Sequence, residues 1–317
     1  MRILRAIDHV PPAYRGAVVA LGNFDGVHRG HQVVLDATRE AARRLSVPFG
    51  VLTFEPHPRQ EFRPQDPPFR LTPFRAKAMR LKALGLDALY VAHFNRAFSQ
   101  RSAEAFMQGV LADGIGVRHV VAGEDFVFGH QRRGTTALLQ EFGARAGFGV
   151  TLVPPVGSGG TIKSSRVRQL LAEGNPVDAA AILGDWWRIV GRVRHGDARG
   201  RTLGYPTANL HLGDLLRPKF GIYAVRATLR GQKPLSGVAN LGVRPMFGAD
   251  RPLLEVNLFD FQGDLYGREL CVDMVEFLRP EATFTGIEAL IAQMNADSAR
   301  ARAILADPAY APGRFRV

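Results

Sequence analysis

Two rhythms of apolar and polar positions run along the 317-residue chain, and the change between them falls near residue 184. Up to about residue 150, short unbroken apolar runs recur: Val18 to Leu21, Phe49 to Phe54, Ala88 to Ala92 and His119 to Ala122, with Val150 to Val153 fitting a fifth. Unbroken runs of this kind read as strands buried on both faces. Between them, apolar residues return at helical spacing: Val34, Ala37, Ala41 and Leu45; Ala78, Leu81 and Leu84; Phe106, Val110 and Leu111. Strand and helix in alternation predict a parallel, doubly wound sheet, in which ligands sit beyond the C-terminal ends of the strands. Three polar stretches fall at such ends: residues 22 to 31 (GNFDGVHRGH), 55 to 58 (EPHP) and 123 to 129 (GEDFVFG).

A helix from about Ser165 to Glu173 stops at Gly174-Asn175-Pro176, and VDAAAILG adds a short helical piece closing at Gly184. The domain boundary is placed there, separating 1–184 from 185–317. Beyond it, WRIVGRVR, GIYAVRATL, PLSGVANLG, LLEVNLFD and ELCVDMVEFL read as strands joined by turns. Period-two alternation in CVDMVEF and LEVNLFD predicts half-buried antiparallel strands and a small β-barrel. A helix follows, with Thr285 and Glu288 spaced as a capping box and Ile287, Leu290, Ile291 and Met294 on one apolar face. That face is expected to cover one side or mouth of the barrel.

Composition adds limits. A chain of this length is expected to form two compact units. Its 46% hydrophobic and 22% charged residues, without low-complexity blocks or repeats, are those of a globular protein. The opening MRILRAIDHV has an acid at Asp8 and no long apolar segment, so no secretory signal is expected. No stretch approaches the roughly 20 apolar residues that span a bilayer. Cys271 is the sole cysteine, which excludes an internal disulfide and makes the cytosol the expected compartment.

The net charge of +12 has two readings: nucleic-acid binding through phosphates, or attraction of small polyanions such as ATP. The arginines are scattered and no run of five basic residues occurs, which favours the second. No lysine stands in a G-x-x-x-x-G-K-[ST] context, so a nucleotide would be held without a P-loop.

In GNFDGVHRGH, Gly22 and Gly26 allow a sharp turn and close approach of backbone to a ligand, and His28 to His31 lie where the next helix begins. His-x-x-His spacing puts both rings on nearly one side of the first turn, with Cβ atoms about 5 to 6 Å apart. Three readings stand side by side. A zinc site needs further ligands, and the H-E-x-x-H pattern is absent because Arg29 and Gly30 fill the middle. Helix capping by histidine leaves the paired glycines and Asp25 unexplained. A phosphate site, with helix N–H groups and imidazoles donating to developing charge, uses all of them.

Gly22 to His31 resembles the H-x-G-H motif of the nucleotidylyltransferase superfamily, in the form carried by bacterial bifunctional riboflavin kinase/FMN adenylyltransferases. TFEPHP (53–58), LTPFRAK (71–77), GEDFVFG (123–129) and SSRVRQLL (164–171) follow that family's order and spacing, and the resemblance runs from about residue 15 to 305. It implies a Rossmann-like nucleotidylyltransferase domain with a parallel sheet, and a small antiparallel β-barrel kinase domain with a C-terminal helix.

It further implies that His28 and His31 contact the ATP phosphates and stabilise adenylyl transfer, in a site that includes Gly22, Phe24, Asp25, Gly26 and Gly30. Ser164, Ser165 and Arg168 resemble the S-[ST]-x-[IV]-R element that closes over the triphosphate; read without the resemblance, the serines are an ordinary N-cap. Asp125 falls near the adenylylation site. Phe62, Phe106 and Phe128 match flavin-facing aromatics, Phe106 fitting a core position equally well. One departure stands at Lys163, where the family has serine; its charge either meets pyrophosphate or points to solvent. His57, between Pro56 and Pro58, lines the nucleotide pocket or is a structural loop residue.

The second informative stretch is GDARGRTLGYPTANL, residues 196 to 210. Gly196, Gly200 and Gly204 suit a mobile loop, and Arg199 and Arg201 can fold over phosphates. Thr207 and Asn209, two residues apart, offer neutral oxygens on one face if the chain is extended. Such oxygens suit a nucleotide-bound Mg²⁺, while a plain turn accounts for the residues as well. The resemblance to the P-T-A-N motif of riboflavin kinases implies the metal role, and it implies that Glu255 is the catalytic glutamate rather than a solvent-facing strand residue. DLYG (264–267) is expected beside nucleotide or flavin. Met246 replaces the family's threonine and receives no ligand role, and Cys271 is read as packing.

The reading is a cytosolic enzyme that uses ATP and Mg²⁺ to phosphorylate riboflavin to FMN and then joins FMN to AMP to give FAD. Its partners are riboflavin, FMN, FAD and ATP, with neither membrane nor nucleic acid, and its oligomeric state is open. A single-activity enzyme with one degenerate domain, or a flavin- or nucleic-acid-binding protein on the same fold, are the competing readings.

Overall fold

The computed structural model describes residues 1–157, 162–195, 205–229, 231–246 and 249–315. They form two compact units: Met1–Asp66 with Lys77–Lys163, and Pro67–Ala76 with Ser164–Val317.

The first unit holds β1 (Arg2–Leu4), β2 (Val18–Leu21), β3 (Phe49–Glu55), β4 (Ala88–His93), β5 (His119–Gly123) and β6 (Gly149–Val153), in the order β1-β4-β3-β2-β5-β6. Every pairing is parallel. The sheet expected from the apolar runs is present, and β2 is buried at all its positions, as a strand with both faces covered must be. Strand order reverses between β2 and β5, so the loops that follow these two strands flank the switch point where ligands bind in such sheets. GNFDGVHRGH and GEDFVFG are those loops. β1, three residues long, was too short to show in the pattern. The helix expected around Phe106 and Val110 is present, but Met107–Ile115 winds with a wider, five-residue hydrogen-bonding repeat and buries Met107, Val110, Leu111 and Ile115.

The second unit holds β7 (Trp187–Arg192), β8 (Ala208–His211), β9 (Gly221–Leu229), β10 (Leu235–Met246), β11 (Ala249–Leu258) and β12 (Glu269–Arg279), in the order β7-β12-β9-β10-β11-β8. All pairings are antiparallel. A bridge in which Arg194 N–H donates to the Asn209 carbonyl at 2.9 Å brings the ends of the sheet together, giving a nearly closed barrel. Its interior is lined by Ile189, Leu210, Val225, Ala239, Leu254, Val256, Leu270 and Val272.

Packing divides the chain earlier than the change of rhythm at 184. Helices Ser164–Glu173 and Pro176–Leu183 place Val167, Leu170, Leu171, Ala179 and Leu183 in the same apolar cluster as the barrel strands. Two local expectations are corrected. The C-terminal helix Ile287–Ala306 starts from Gly286 with no side-chain cap, so Thr285 and Glu288 form no capping box. Ile287 is 59% exposed and drops out of the expected apolar face, whereas Leu290 and Met294 do turn towards the barrel, bordering a cavity with Asp297, and the buried side of the helix continues through Ala301 and Leu305. In β12, register shifts between Met274 and Glu276 and between Phe277 and Arg279 break the simple alternation, so Met274 and Val275 are both buried. Asp273 is also buried, taken up by a two-pronged pair with Arg188 at 2.6 and 2.7 Å.

Candidate active sites

In the first unit the chain leaves β2 through a tightly buried turn. Phe24, Asp25 and Val27 are almost wholly inaccessible, and Phe24, Gly26 and Val27 have φ of 49°, 87° and 44°. For Phe24 and Val27 this is the left-handed region, which bulky side chains adopt only when their surroundings impose it. The turn delivers His28 to the N-cap of helix Arg29–Leu45. His28 Nδ1 accepts from the His31 backbone N–H at 3.3 Å, so a neutral His28 carries its proton on Nε2. The two imidazoles stack with centroids 3.6 Å apart, and Phe24 lies 5.0 Å from the His31 ring.

The cap and the phosphate site are therefore one arrangement: one nitrogen of His28 anchors the helix start while the ring stays beside its open N–H groups. Burial, reinforced by His28, Lys77 and Arg80, holds the His31 imidazole well below its ordinary range. At neutral pH it is an uncharged donor. Gly30 suits the same packing, because a Cβ there would stand a tight 3.2 Å from the His28 ring and from the Ile162 carbonyl, so that one of them would have to give way slightly. Among the described residues no three His, Cys, Asp or Glu side chains gather as a metal site.

Beside this turn lies a cavity of about 550 Å³, walled by Phe54, Phe62, Phe94, Phe98, Phe106, Phe126 and Phe128 and edged by Arg59, Arg63, Arg101 and Arg132. The rings touch in series with centroids 5.4 to 6.2 Å apart from Phe62 to Phe94, Phe54, Phe106, Phe128 and Phe126. Phe106 answers both of its readings, since it is 3% exposed within the core and also lines the cavity. Phe62 is 63% exposed at the rim. Asp125 is exposed on the turn after β5 and does not line the cavity. His57 is the N-cap of helix Pro58–Phe62, its Nδ1 accepting from Arg59 N–H at 3.1 Å with Gln60 completing a capping box, which accords with the structural reading. Phe54, Phe94, Phe98, Phe126 and the four arginines carried no signal in the sequence, because their segments meet only on folding.

In the second unit, helix Ser164–Glu173 begins at Ser164 itself. Ser165 and Lys163 are exposed. Arg168 Nε donates to the Phe69 carbonyl at 2.8 Å, and its guanidinium lies over the Phe69 ring.

The barrel has two cavities. One, of about 440 Å³, is lined by Thr207, Asn209, Phe261, Asp264, Leu265 and Tyr266, among others. The other, of about 400 Å³, lies between the strands and the C-terminal helix, and its lining includes Thr207, Asn240, Glu255, Arg279, Met294 and Asp297. Thr207 is on the wall of both. Register explains the arrangement: Glu255 on β11 pairs directly with Asn209 on β8 and with Asn240 on β10, so all three project from one face of the sheet. Leu254 and Val256, on the opposite face, fill the barrel interior.

Asn209 is buried, yet its Oδ1 has no hydrogen-bond partner. An orphaned amide oxygen near a threonine is what a hard cation would satisfy, and these residues fit Mg²⁺. The segment is tethered where Asn257 Nδ2 donates to the Pro206 carbonyl at 2.9 Å. Asp264 to Tyr266 border the first cavity, where His195 stacks on Tyr266 at 3.8 Å. Gly196, Arg199, Arg201 and Gly204 lie outside the described residues.

A family model described as FAD synthetase matches residues 10–167, and one described as riboflavin kinase matches 183–305. A bifunctional riboflavin kinase/FMN adenylyltransferase of Pseudomonas fluorescens is 42% identical over 98% of this chain and all of that protein. The protein of the same description from Escherichia coli K12 is 40% identical over 95% and 97% of the two chains. The chain belongs to the bifunctional riboflavin kinase/FMN adenylyltransferase family. A crystal structure described as a macrolide-efflux protein from Streptococcus pneumoniae shares the fold of this family member, with a TM-score of 0.84 and 32% identity over 95% of this chain and 98% of that one. No helix among the described residues is long and apolar enough to cross a membrane.

Lys163 is exposed beside the helix start, and Met246 continues β10 in register with Ala249. Cys271 sits in β12 opposite Val190 and Thr228, and burial pushes its thiol pKa up, which suits packing and makes it a poor nucleophile at neutral pH.

Proposed function

We propose that this chain phosphorylates riboflavin to FMN in the barrel domain, 185–317, and adenylylates FMN to FAD in the N-terminal domain, 1–184, using ATP for both steps. The observation that carries the kinase reading is the shared wall: Thr207 borders both barrel cavities, with Asn209 in one and Glu255 in the other. A nucleotide in the first and a flavin in the second would bring the γ-phosphate and the ribityl hydroxyl together at Thr207. Glu255 orients that hydroxyl and accepts its proton as the oxygen attacks phosphorus. Thr207 and Asn209 would hold Mg²⁺, which supplies charge neutralisation on the transferred phosphoryl group. Motif position supports Gly196, Arg201 and Gly204 as residues at the nucleotide phosphates.

For adenylyl transfer, an FMN phosphate oxygen forms a bond to the α-phosphorus of ATP as the bond to pyrophosphate breaks, with no covalent enzyme intermediate. The work is positioning and charge stabilisation. Neutral His31, His28 with its Nε2 proton and the backbone of Gly22 to Gly30, with Phe24 and Asp25, serve the phosphates. The aromatic cavity with Phe62 and Phe128 takes the isoalloxazine, its arginine edge suits the FMN phosphate, and Asp125 stands near the reacting end. Motif position supports Ser164, Ser165 and Arg168 as pyrophosphate ligands. The single cysteine agrees with a cytoplasmic enzyme.

The test is purified full-length chain with riboflavin, ATP and Mg²⁺, products separated by chromatography. FMN followed by FAD is expected. FMN alone removes the second activity, and no product leaves only a binding role.

A further inference from the structure

Lys77 is a lysine where lysine is least expected. It lies in helix Phe74–Ala83 and is 0% exposed. Its Nζ donates to the Asn23 carbonyl at 2.8 Å and to Thr53 Oγ1 at 3.1 Å, and it meets Glu55 Oε1 at 2.8 Å. An ammonium has three N–H donors and no acceptor, and three oxygens from two segments receive it. Thr53 and Glu55 are two apart on β3 and so share a face, while Phe54 between them turns to the aromatic cavity.

A buried charge is weak support for stability, since a packed apolar side chain of similar size commonly serves a core as well or better. What a methionine could not do here is hold a main-chain carbonyl. The carbonyl held is that of Asn23, in the turn whose Phe24 and Val27 have φ of 49° and 44° and which ends at His28. Thr53 Oγ1 donates to the same oxygen at 3.1 Å. One carbonyl thus takes two donors from outside the turn, next to a conformation that the turn's own residues disfavour.

We propose that Lys77 is a positioning residue for adenylyl transfer: its ammonium grips the turn by the Asn23 carbonyl and so fixes where His28 and the helix start stand. The inference rests on the adenylyl-transfer reading of this site. Lys77 also adds its charge to those of His28 and Arg80 around His31. Removing it therefore lets His31 take a proton at higher pH.

The test compares wild type, Lys77→Met and Thr53→Val as full-length chains. FAD formation from supplied FMN and ATP is measured between pH 5.5 and 9, and FMN formation from riboflavin alongside. Lys77→Met is expected to lower kcat for FAD formation at least tenfold, with KM for ATP and FMN within about threefold. The acid limb of its pH profile moves to higher pH, and FMN formation stays at the wild-type rate. A purely structural role would reduce the amount of active enzyme and leave that limb in place. Thr53→Val removes one donor to the same carbonyl and is expected to show the same kcat-selective loss at a few-fold.

Wild-type kcat and pH limb in a folded Lys77→Met overturn the proposal. If that variant does not fold, an unchanged kcat in Thr53→Val overturns it and a kcat-selective loss supports it. Failure of wild type to make any FAD from FMN would overturn the adenylyl-transfer reading itself, a separate outcome.

Discussion

The two candidate sites are built in opposite ways. In the parallel-sheet unit, ten consecutive residues after β2 supply a turn, a cap and two stacked imidazoles, and the helix that follows supplies its N–H groups. In the barrel, Asn209, Asn240 and Glu255 come from three strands, with Thr207 just ahead of β8, and they meet only because β11 pairs with β8 and β10 in one register. The contiguous site depends on local backbone conformation and is vulnerable to one badly placed Cβ. The cross-strand site depends on register, where a slip of one residue would send every member to the other face.

The largest expected effects test whether the two sites are independent. Glu255→Ala should cut FMN formation by about 10²- to 10⁴-fold, the usual worth of a positioned base, and leave FAD formation from supplied FMN intact. Loss of both activities would show that the sites are coupled. The converse pair, His28→Ala with His31→Ala, should cost FAD formation about 10²- to 10³-fold while FMN formation continues. A kinase that died with them would refute the domain assignment.

Next comes the wall between barrel and helix. Arg279 grips Asp297 in a forked pair at 2.7 to 3.0 Å and borders the Glu255 cavity. Asp297→Ala leaves a largely buried guanidinium without its partner, and denaturant titration should show a loss of about 2–4 kcal/mol together with a raised KM for riboflavin. An unchanged midpoint would mean that the helix is held by other contacts.

The pH dependence of the histidine turn is subtler. In the unfolded chain His31 titrates near about 6.5, and in the folded chain it titrates lower. As pH falls below 6.5 the unfolded state binds the proton first, so His31's contribution to stability is complete above that value and is lost on acidification towards the folded pKa. The melting temperature of wild type should therefore fall more steeply between pH 7 and 5 than that of His31→Gln; parallel curves would contradict a depressed pKa. The smallest effect is a control on the corrected cap. Because the C-terminal helix starts at Gly286 with no side-chain bond, Thr285→Ala should change stability by less than about 0.5 kcal/mol, whereas a true capping box would cost about 1.

Much of this was readable beforehand, for reasons of scale. Strands β2 to β5 announced themselves because a strand buried on both faces has to be apolar almost throughout. The histidine turn was visible because its parts are adjacent, and Thr207 with Asn209 because they lie two apart. Three kinds of error had physical causes. Bulges in β12 hid the burial of Val275 beside Met274, and the burial of Asp273 was hidden because its partner Arg188 is on another strand. The face of the last helix that turns to the barrel begins at Leu290 and Met294 and not at the exposed Ile287, and it carries an aspartate, Asp297, which periodicity of apolar residues does not reveal. Lys77 stayed unseen because Asn23, Thr53 and Glu55 are remote from it in sequence.

By itself, then, the sequence determined the two fold classes, the turn that ends at His28 and the identity of most candidate ligands, all of which follow from local conformation and from periodicities shorter than a strand or helix. Only the tertiary structure decided that Thr207 borders two cavities, that seven phenylalanines from separate segments form one wall, and that a buried ammonium holds the Asn23 carbonyl. These are contacts between segments far apart in the chain, set by register and packing, which no single stretch of sequence encodes.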